Sequence, residues 1–177
     1  MKCLYYLTSS IDTTHSISDD LHEAGVNDWF LHIISRDAVG IKKHHLHSGN
    51  YIEQLDIMRD GILGAIIGFI IGLVIVSIIS FNQYFPPEVP SITYYFIVII
   101  VAMFCSWEGG LAGIASENKK LAEFHDDIEG GKYLILVYAF ANQEETITEM
   151  MATKHPNIHL QGVDPSFFNP LTRVQRI

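Results

Sequence analysis

Two long apolar stretches interrupt a sequence in which short apolar runs otherwise alternate with polar segments. Residues 61–81 carry no charged side chain, and residues 92–115 carry one, Glu108. A hydrocarbon core of roughly 30 Å needs about 20 helical residues, which both stretches supply. Residues 82–91, between them, contain three prolines, which cannot continue a helix. The pattern therefore predicts two transmembrane helices joined by a tight turn, which together form a membrane hairpin.

The charges beside the two spans predict their orientation. Basic residues lie on the side of each span that is away from the turn, at Lys42, Lys43, Arg59, Lys119, Lys120 and Lys132. The turn itself has neither Lys nor Arg. Because cytoplasmic segments of membrane proteins carry an excess of Lys and Arg, we expect both termini in the cytoplasm and the turn outside. The N-terminus shows no signal-peptide pattern, so we expect the hairpin to direct insertion.

The segments on either side of the hairpin alternate between strand and helix patterns. The predicted strands are short and rich in β-branched and aromatic residues. They are residues 2–8, 28–35, 132–139 and 157–163, and the predicted helices are residues 14–24 and 142–154. Two βαβ halves of this length match a ferredoxin-like α+β domain. We expect one four-stranded antiparallel sheet with two helices on one face, and the hairpin inserted between its second and third strands.

The order of these segments divides the chain into three parts. Residues 1–49 form the first half of the cytoplasmic domain, and residues 129–177 form its second half and a tail. Residues 50–128 hold the hairpin, with approach helices predicted at 50–60 and 116–128. Because both ends of the hairpin are expected on the cytoplasmic side, the two halves can meet in one domain.

The face of the predicted sheet that the helices leave open is a candidate partner surface. On the last strand, Ile158 and Leu160 alternate with polar residues, and we expect the polar side to be the open one. On the second strand, His32 shares this side with Phe30 and Ile34, so the open face is partly apolar. Such a surface usually marks a site for a partner, here a second copy of the chain. Alternatively, the approach helices or the C-terminal tail cover it.

The first span carries three glycines spaced four positions apart. Gly64, Gly68 and Gly72 form a glycine zipper. Gly61 lies one turn earlier. In lipid, the association of helices depends on close backbone packing between small residues. The second span offers small residues at three- and four-residue spacings, at Ala102, Ser106, Gly109, Gly110 and Gly113. These faces either pack the hairpin on itself or pack copies into a homo-oligomer.

Glu108 is the single charged residue in either span. A carboxyl group inside a membrane indicates, by default, an ion or proton site or a lumen. Counted from Ile92 at the outer edge, however, Glu108 lies about 24 Å further in, near the inner boundary. Trp107 beside it fits the aromatic belt of a membrane interface. The position favours an interfacial role, with an ion site as the alternative.

Three histidines cluster in the segment KKHHLH before the first span, at His44, His45 and His47. Imidazoles so close together can bind a divalent metal such as zinc, nickel or copper. However, neither a cysteine nor a paired carboxylate completes the set locally, and the two adjacent lysines repel a cation. A solvated basic segment that contacts anionic lipid is the favoured interpretation, and no cofactor is expected.

Composition narrows the classes of function. Hydrophobic residues make up 49% of the chain and charged residues 18%, which fits a protein that is partly soluble and partly embedded in a membrane. The net charge of −9 argues against nucleic-acid binding, which needs clustered Lys and Arg. Cys3 and Cys105 are expected to stay reduced. The sequence has no glycine-rich phosphate loop, HExxH, CxxC or nucleophile elbow, so we expect no enzymatic activity.

Four stretches are distributed along the chain between residues 30 and 165: FLHIISRD, RDGILGAIIGFIIG, SENKKLAEFHDDIEGGKYLILV and KHPNIHLQGVDP. In their order they resemble a family of uncharacterised bacterial inner-membrane proteins, grouped with general-stress or low-temperature-induced proteins that carry a glycine-zipper domain. This chain differs in its longer, more apolar spans and in the KKHHLH segment. The resemblance implies the fold and a bacterial inner membrane, but no reaction, ligand or catalytic residue.

From these observations we expect a non-enzymatic, homo-oligomeric inner-membrane protein whose cytoplasmic domain mediates assembly or senses a ligand, with a link to stress. One alternative is a small cation channel or transporter, formed by a ring of hairpins lined by Glu108. Another alternative is an accessory subunit of a larger membrane complex. The lipid bilayer is a partner in each case.

Overall fold

The computed structural model describes residues 1–49, 54–166, 169, 171–172 and 174–177. The chain divides into two compact units. The α/β unit combines residues 1–50 with residues 119–177, and the hairpin unit contains residues 51–118. The segment 119–128, which the sequence analysis grouped with the hairpin, therefore packs with the α/β unit.

The architecture is mixed α+β, as the sequence predicts. In chain order, the elements are β1 (Lys2–Thr8), α1 (Ile11–Glu23), β2 (Leu31–Ile34), α2 (Ala38–Lys43), α3 (Ile57–Phe81), α4 (Ile92–Ile114), α5 (His125–Glu129), β3 (Tyr133–Ala139), α6 (Glu144–Lys154), β4 (Leu160–Asp164) and β5 (Gln175–Arg176). The long helices α3 and α4 make up most of the hairpin unit, and the other elements belong to the α/β unit.

The strands of the α/β unit form one antiparallel sheet in the order β2-β3-β1-β4-β5. β1 lies at its centre and pairs with β3 along its whole length, from Lys2 opposite Ala139 to Thr8 opposite Tyr133. The predicted antiparallel sheet is therefore confirmed. The expected four strands become five, because the short strand β5 pairs with the outer edge of β4.

Two strands, β2 and β4, begin three residues later than the sequence predicts. The segment 28–35 begins with a 3-10 turn at Asp28–Phe30, which precedes β2. The segment 157–163 joins the sheet only from Leu160, where β4 begins. Its first residues belong to a turn, in which the backbone N–H of Ile158 donates to the carbonyl of His155 at 2.9 Å. Both differences arise because local turns use backbone groups that the ladder would otherwise need.

Both faces of the sheet are buried within the α/β unit. On one face, Leu4 and Tyr6 of β1 pack against α1 and α6. On the other face, the ring of Phe124 stacks on Tyr5 with the centroids 5.4 Å apart, and Val174 of the C-terminal tail joins the same cluster. The face that the sequence analysis left open is thus covered by the segment after the hairpin and by the tail, which is the alternative stated above.

The hairpin unit contains two long apolar helices. α3 has 25 residues and α4 has 23, so α3 is about 37 Å long at 1.5 Å per residue. Both helices are long and apolar enough to cross a membrane. Only 11% of the most apolar window of each helix is buried, whereas a core helix of a soluble protein is mostly buried.

The approach helices predicted beside the hairpin differ from the observed structure. Of the segment 50–60, residues 50–53 lie outside the described part of the chain. After α4, the backbone N–H of Asn118 donates to the carbonyl of Gln54 at 2.9 Å, so the chain leaving the hairpin pairs with the chain entering it. This pairing competes with a helix over 116–128. The segment instead forms a 3-10 turn, followed by the short helix α5.

Candidate functional site: the glycine-packed hairpin

The three zipper glycines of α3 face α4 within the same hairpin. A methyl group on Gly64 would collide with the backbone carbonyl of Cys105. A methyl group on Gly68 would lie 2.8 Å from the Cα of Ala102, and one on Gly72 would lie 2.9 Å from another Cα of α4. Backbone atoms cannot rotate away as a side chain can. The two helices therefore approach this closely only because these positions carry no side chain.

Two glycines of α4 make the reciprocal contacts with α3. A methyl group on Gly109 would collide with the carbonyl oxygen of Asp60. A methyl group on Gly113 would lie 2.7 Å from the Cα of Ile57. The close packing thus extends over several turns, from the first residues of α3 to Gly72.

The remaining small residues contribute less to this interface. Ser106 of α4 donates its hydroxyl group to the carbonyl oxygen of Gly61 at 3.0 Å, a polar contact between the helices. Around Gly61 there is room for a methyl group, since the nearest atom would lie at 3.6 Å. Gly110 has open space where a side chain would be. The small-residue faces of the two spans therefore contact each other within one chain.

Glu108 lies at the charged end of the hairpin. The contact between Gly109 and Asp60 places Glu108 level with the first turn of α3. In that turn, the guanidinium of Arg59 lies 3.3 Å from the carboxylate of Asp56 and 3.6 Å from that of Asp60. Glu108 itself is exposed on the surface of the unit. Its level beside these ion pairs favours an interfacial carboxylate over a charge in the middle of a span.

The three clustered histidines lie apart in the α/β unit. The ring of His44 contacts His15 of α1, with 5.8 Å between the centroids. The ring of His47 stacks on His32 of β2 at 5.9 Å. His45 is exposed and has a φ of 55°. Within the described part of the chain, no three His, Cys, Asp or Glu side chains gather in a way that could hold a metal ion.

One polar cluster of the α/β unit has no signal in the local sequence. Asp20 of α1 accepts hydrogen bonds from Lys154 and from His155 Nε2, the latter at 2.8 Å. The bond from Lys154, and then that from His155, holds the pKa of Asp20 below its ordinary value. Asp20 and Glu23 in turn raise the pKa of Lys154. The partners are more than 130 residues apart in the chain, so only the fold brings them together.

These features define a mixed α+β protein with a five-stranded antiparallel sheet and two helices long and apolar enough to cross a membrane. No protein-family model matches the sequence, and no curated protein matches it.

Proposed function

We propose that this chain is a non-enzymatic protein of a bacterial inner membrane, in which the hairpin anchors a cytoplasmic sensing or assembly domain. The observation that carries the proposal is the backbone-close packing of α3 on α4, with the large apolar side chains of both helices turned outward. In water, such a surface is an aggregation liability. In lipid, it is the surface that a spanning helix presents to hydrocarbon.

The strand order supports a ferredoxin-like fold for the α/β unit. Four strands lie in the order β4-β1-β3-β2, and each neighbouring pair is antiparallel. The helices α1 and α6 pack on one face of this sheet. Two βαβ halves have this arrangement, and β5 extends one edge. Since α3 and α4 lie between β2 and β3 in the chain, we propose that the hairpin is an insertion between the second and third strands.

The charge distribution supports a topology with both termini in the cytoplasm and the proline turn outside. The ion-paired Arg59 lies at the end of the hairpin away from the turn. At the other end, the rings of Phe85 and Tyr94 lie 5.9 Å apart beside the turn. Basic residues are typical of the cytoplasmic side, and aromatic residues are typical of either interface.

Cysteine labelling tests this topology in cells. In a chain with Cys3→Ser and Cys105→Ala, a single cysteine is introduced either in the turn, as Glu88→Cys, or in α2, as Lys43→Cys. A membrane-impermeant maleimide should label Glu88→Cys in intact spheroplasts and Lys43→Cys only after lysis. Labelling of both in intact spheroplasts, or of Lys43→Cys alone, would contradict the proposal.

Homo-oligomerisation is part of the proposal, but it requires contacts of a different kind from the glycine zipper. Because the small-residue faces are occupied within each hairpin, copies would meet through large exposed side chains such as Phe69, Phe104 and Trp107. Native mass spectrometry from lipid nanodiscs should show more than one chain per particle. A result of monomers alone would contradict homo-oligomerisation, but not the proposed role of the hairpin as an anchor. A different protein that co-purifies from native membranes would indicate an accessory subunit instead.

A further inference from the structure

A cleft with a volume of about 760 Å³ opens at one end of the sheet in the α/β unit. It is lined by the turn from β1 into α1, by the connection from α6 to β4, by Lys132 just before β3 and by Arg176 on β5. Binding sites for small molecules commonly have volumes of about 300–1,000 Å³. The cleft is therefore large enough for a metabolite, and its walls come from parts of the chain that are distant in sequence.

Basic side chains dominate the charged groups of this cleft. Lys132, Lys154 and Arg176 come from three separate parts of the chain, whereas Asp127 is the one carboxylate among the described lining residues. His155, next to Lys154, also lines the cleft, and its Nε2 lies 2.8 Å from the carboxylate of Asp20. The chain as a whole has 20 acidic and 11 basic residues. The charged groups that line the cleft are thus mostly basic in a protein that is acidic overall, which favours a negatively charged ligand.

Carboxylates hold these cations in place without using all their donors. Asp127 lies 2.8 Å from Lys132 Nζ and 3.6 Å from Arg176 Nη2. Lys154 pairs with Asp20 and Glu23, both outside the lining. A guanidinium group has five N–H donors and an ammonium group has three, so donors remain for a ligand. Since the side chains of Lys132 and Arg176 are 44% and 50% exposed, these pairs are weak enough to share with an incoming anion.

The turn from β1 into α1 adds neutral donors to the same cleft. Ser9, Ser10 and Thr13 line it with hydroxyl groups. Ser10 also caps α1, since its side chain accepts the backbone N–H of Thr13 at 3.3 Å. The partial positive charge at the start of this 13-residue helix adds to that of the basic side chains. Pro156 and Ile158 give the cleft an apolar part.

We propose that this cleft binds a small molecule that carries a phosphate group. The phosphate oxygens accept hydrogen bonds from Lys132, from Arg176 and from the turn after β1, while the rest of the ligand contacts Pro156 and Ile158. Phosphate suits the cleft better than a single carboxylate, because its oxygens can reach donors on several elements at once. The proposal rests on the sensing role proposed for the α/β unit and names the class of ligand.

Isothermal titration of the full chain in maltoside micelles, which contain no phosphate, tests the ligand class. The probes are inorganic pyrophosphate, ATP and adenosine. We expect pyrophosphate and ATP to bind, and adenosine to bind at least about tenfold more weakly than ATP, because it lacks the charge-assisted hydrogen bonds. If adenosine binds as tightly as ATP, phosphate recognition is overturned. If neither pyrophosphate nor ATP binds, the site is overturned.

The variant Lys132→Gln tests the location, with Lys2→Gln as a matched control. Both lysines have side chains that are 44% exposed, and each lies 2.8 Å from a carboxylate. Lys2 is at the opposite end of β1, however, about 20 Å away along the strand. We expect Lys132→Gln and, independently, Arg176→Gln to raise the Kd of pyrophosphate about tenfold. Lys2→Gln should change it less than about twofold, since the two sites are separated by more than a Debye length.

Equal effects of Lys132→Gln and Lys2→Gln would overturn the assignment, because they would indicate general charge attraction. Unchanged binding in both Lys132→Gln and Arg176→Gln would overturn it as well. The result is separable from the labelling test of topology. A chain that labels as expected but binds no phosphate compound retains its anchor and loses this ligand. A chain that binds pyrophosphate but labels in reverse retains the ligand and loses the proposed topology.

Discussion

The contacts inside the hairpin unit differ in kind from those inside the α/β unit. In the hairpin, the contact surfaces at Gly64 and Gly109 are backbone atoms, and any added atom would collide with the other helix. In the α/β unit, large side chains fill both faces of the sheet, such as Tyr6 on one face and Phe124 on the other. The hairpin thus depends on the absence of side chains at its glycines, whereas the α/β unit depends on large buried side chains.

The difference follows from the solvent proposed for each unit. In water, burial of apolar surface contributes about 25 cal/mol per Å², so large side chains stabilise a fold. In lipid, hydrocarbon surrounds the helices whether or not they associate, so stability comes from close packing and a few polar contacts. Substitution should therefore act in opposite directions: removing atoms weakens the α/β unit, and adding atoms weakens the hairpin.

The largest effect is expected from Phe124→Ala in the α/β unit. Phe124 is fully buried and stacks on Tyr5. Its truncation should lower the free energy of unfolding by about 3–5 kcal/mol, because a cavity would remain under the sheet. Urea unfolding in maltoside micelles, followed by circular dichroism, measures the change. The control is Phe140→Ala, which removes a ring that is 45% exposed and should cost about 1 kcal/mol. Equal losses would contradict the covered second face.

A somewhat smaller effect is expected from Asp164→Asn. Asp164 is fully buried and lies 2.5 Å from Lys120 Nζ, which follows the hairpin in the chain. It also accepts the hydroxyl of Thr172 in the C-terminal tail at 2.9 Å. Loss of its charge leaves Lys120 poorly compensated and should cost about 3 kcal/mol.

The control for Asp164→Asn is Glu144→Gln, which weakens the partly exposed pair with Lys2. That change should cost less than about 1 kcal/mol, because solvent screens the pair. If the two variants unfold at the same urea concentration, the Lys120–Asp164 pair does not hold the segment after the hairpin on the sheet.

In the hairpin, Gly64→Ala and Gly110→Ala should act with opposite signs. The methyl group at position 64 collides with the backbone of α4, which we expect to cost about 2 kcal/mol as the helices separate. The methyl group at position 110 meets open space. It should therefore leave the stability unchanged or raise it by up to about 1 kcal/mol, since alanine favours helix over glycine. Denaturation by SDS in mixed micelles measures both, and a shared sign would contradict the packing.

Some of this structure could be predicted because the signal is local. The length and composition of the two spans indicate helices, and the predicted bounds of the first strand match β1. The runs CLYYL in β1 and YLILVY in β3 are continuously apolar rather than alternating. That pattern is typical of strands that are buried on both faces. It could therefore have predicted the covered second face, which the short alternation around Leu160 obscured.

Other features depend on partners that are distant in the chain. Lys120 and Asp164 are 44 residues apart, and β5 exists because Arg176 and Gln175 pair with β4. The basic cleft likewise combines Lys132 with residues from both ends of the chain. No local pattern marks these residues, since each looks like an ordinary exposed charge until the sheet brings them together.

The smallest expected effect concerns how the stability of the α/β unit depends on pH through Asp20. Lys154, and then His155, hold the pKa of Asp20 below its ordinary value of 3.8. A carboxylate of this kind stabilises the folded state above its unfolded pKa, and the stabilisation is lost as the pH falls through the folded value. The α/β unit should therefore lose stability below about pH 4.5 more steeply than the Asp20→Asn variant does.

The close contacts between α3 and α4 are made by backbone atoms and small side chains, which do not titrate in acid, so these packing contacts should add no acid sensitivity to SDS denaturation of the hairpin. Asp19→Asn is the matched control. Asp19 lies on the same helix and is 65% exposed, and within the described part of the chain its ion-pair partner is His15. That variant should keep the wild-type slope of unfolding free energy against pH. The Asp20 effect is small because its partner Lys154 is 45% exposed and solvent screens the pair. Parallel slopes for the wild type and Asp20→Asn would mean that the contact between α1 and α6 contributes no acid sensitivity to the α/β unit.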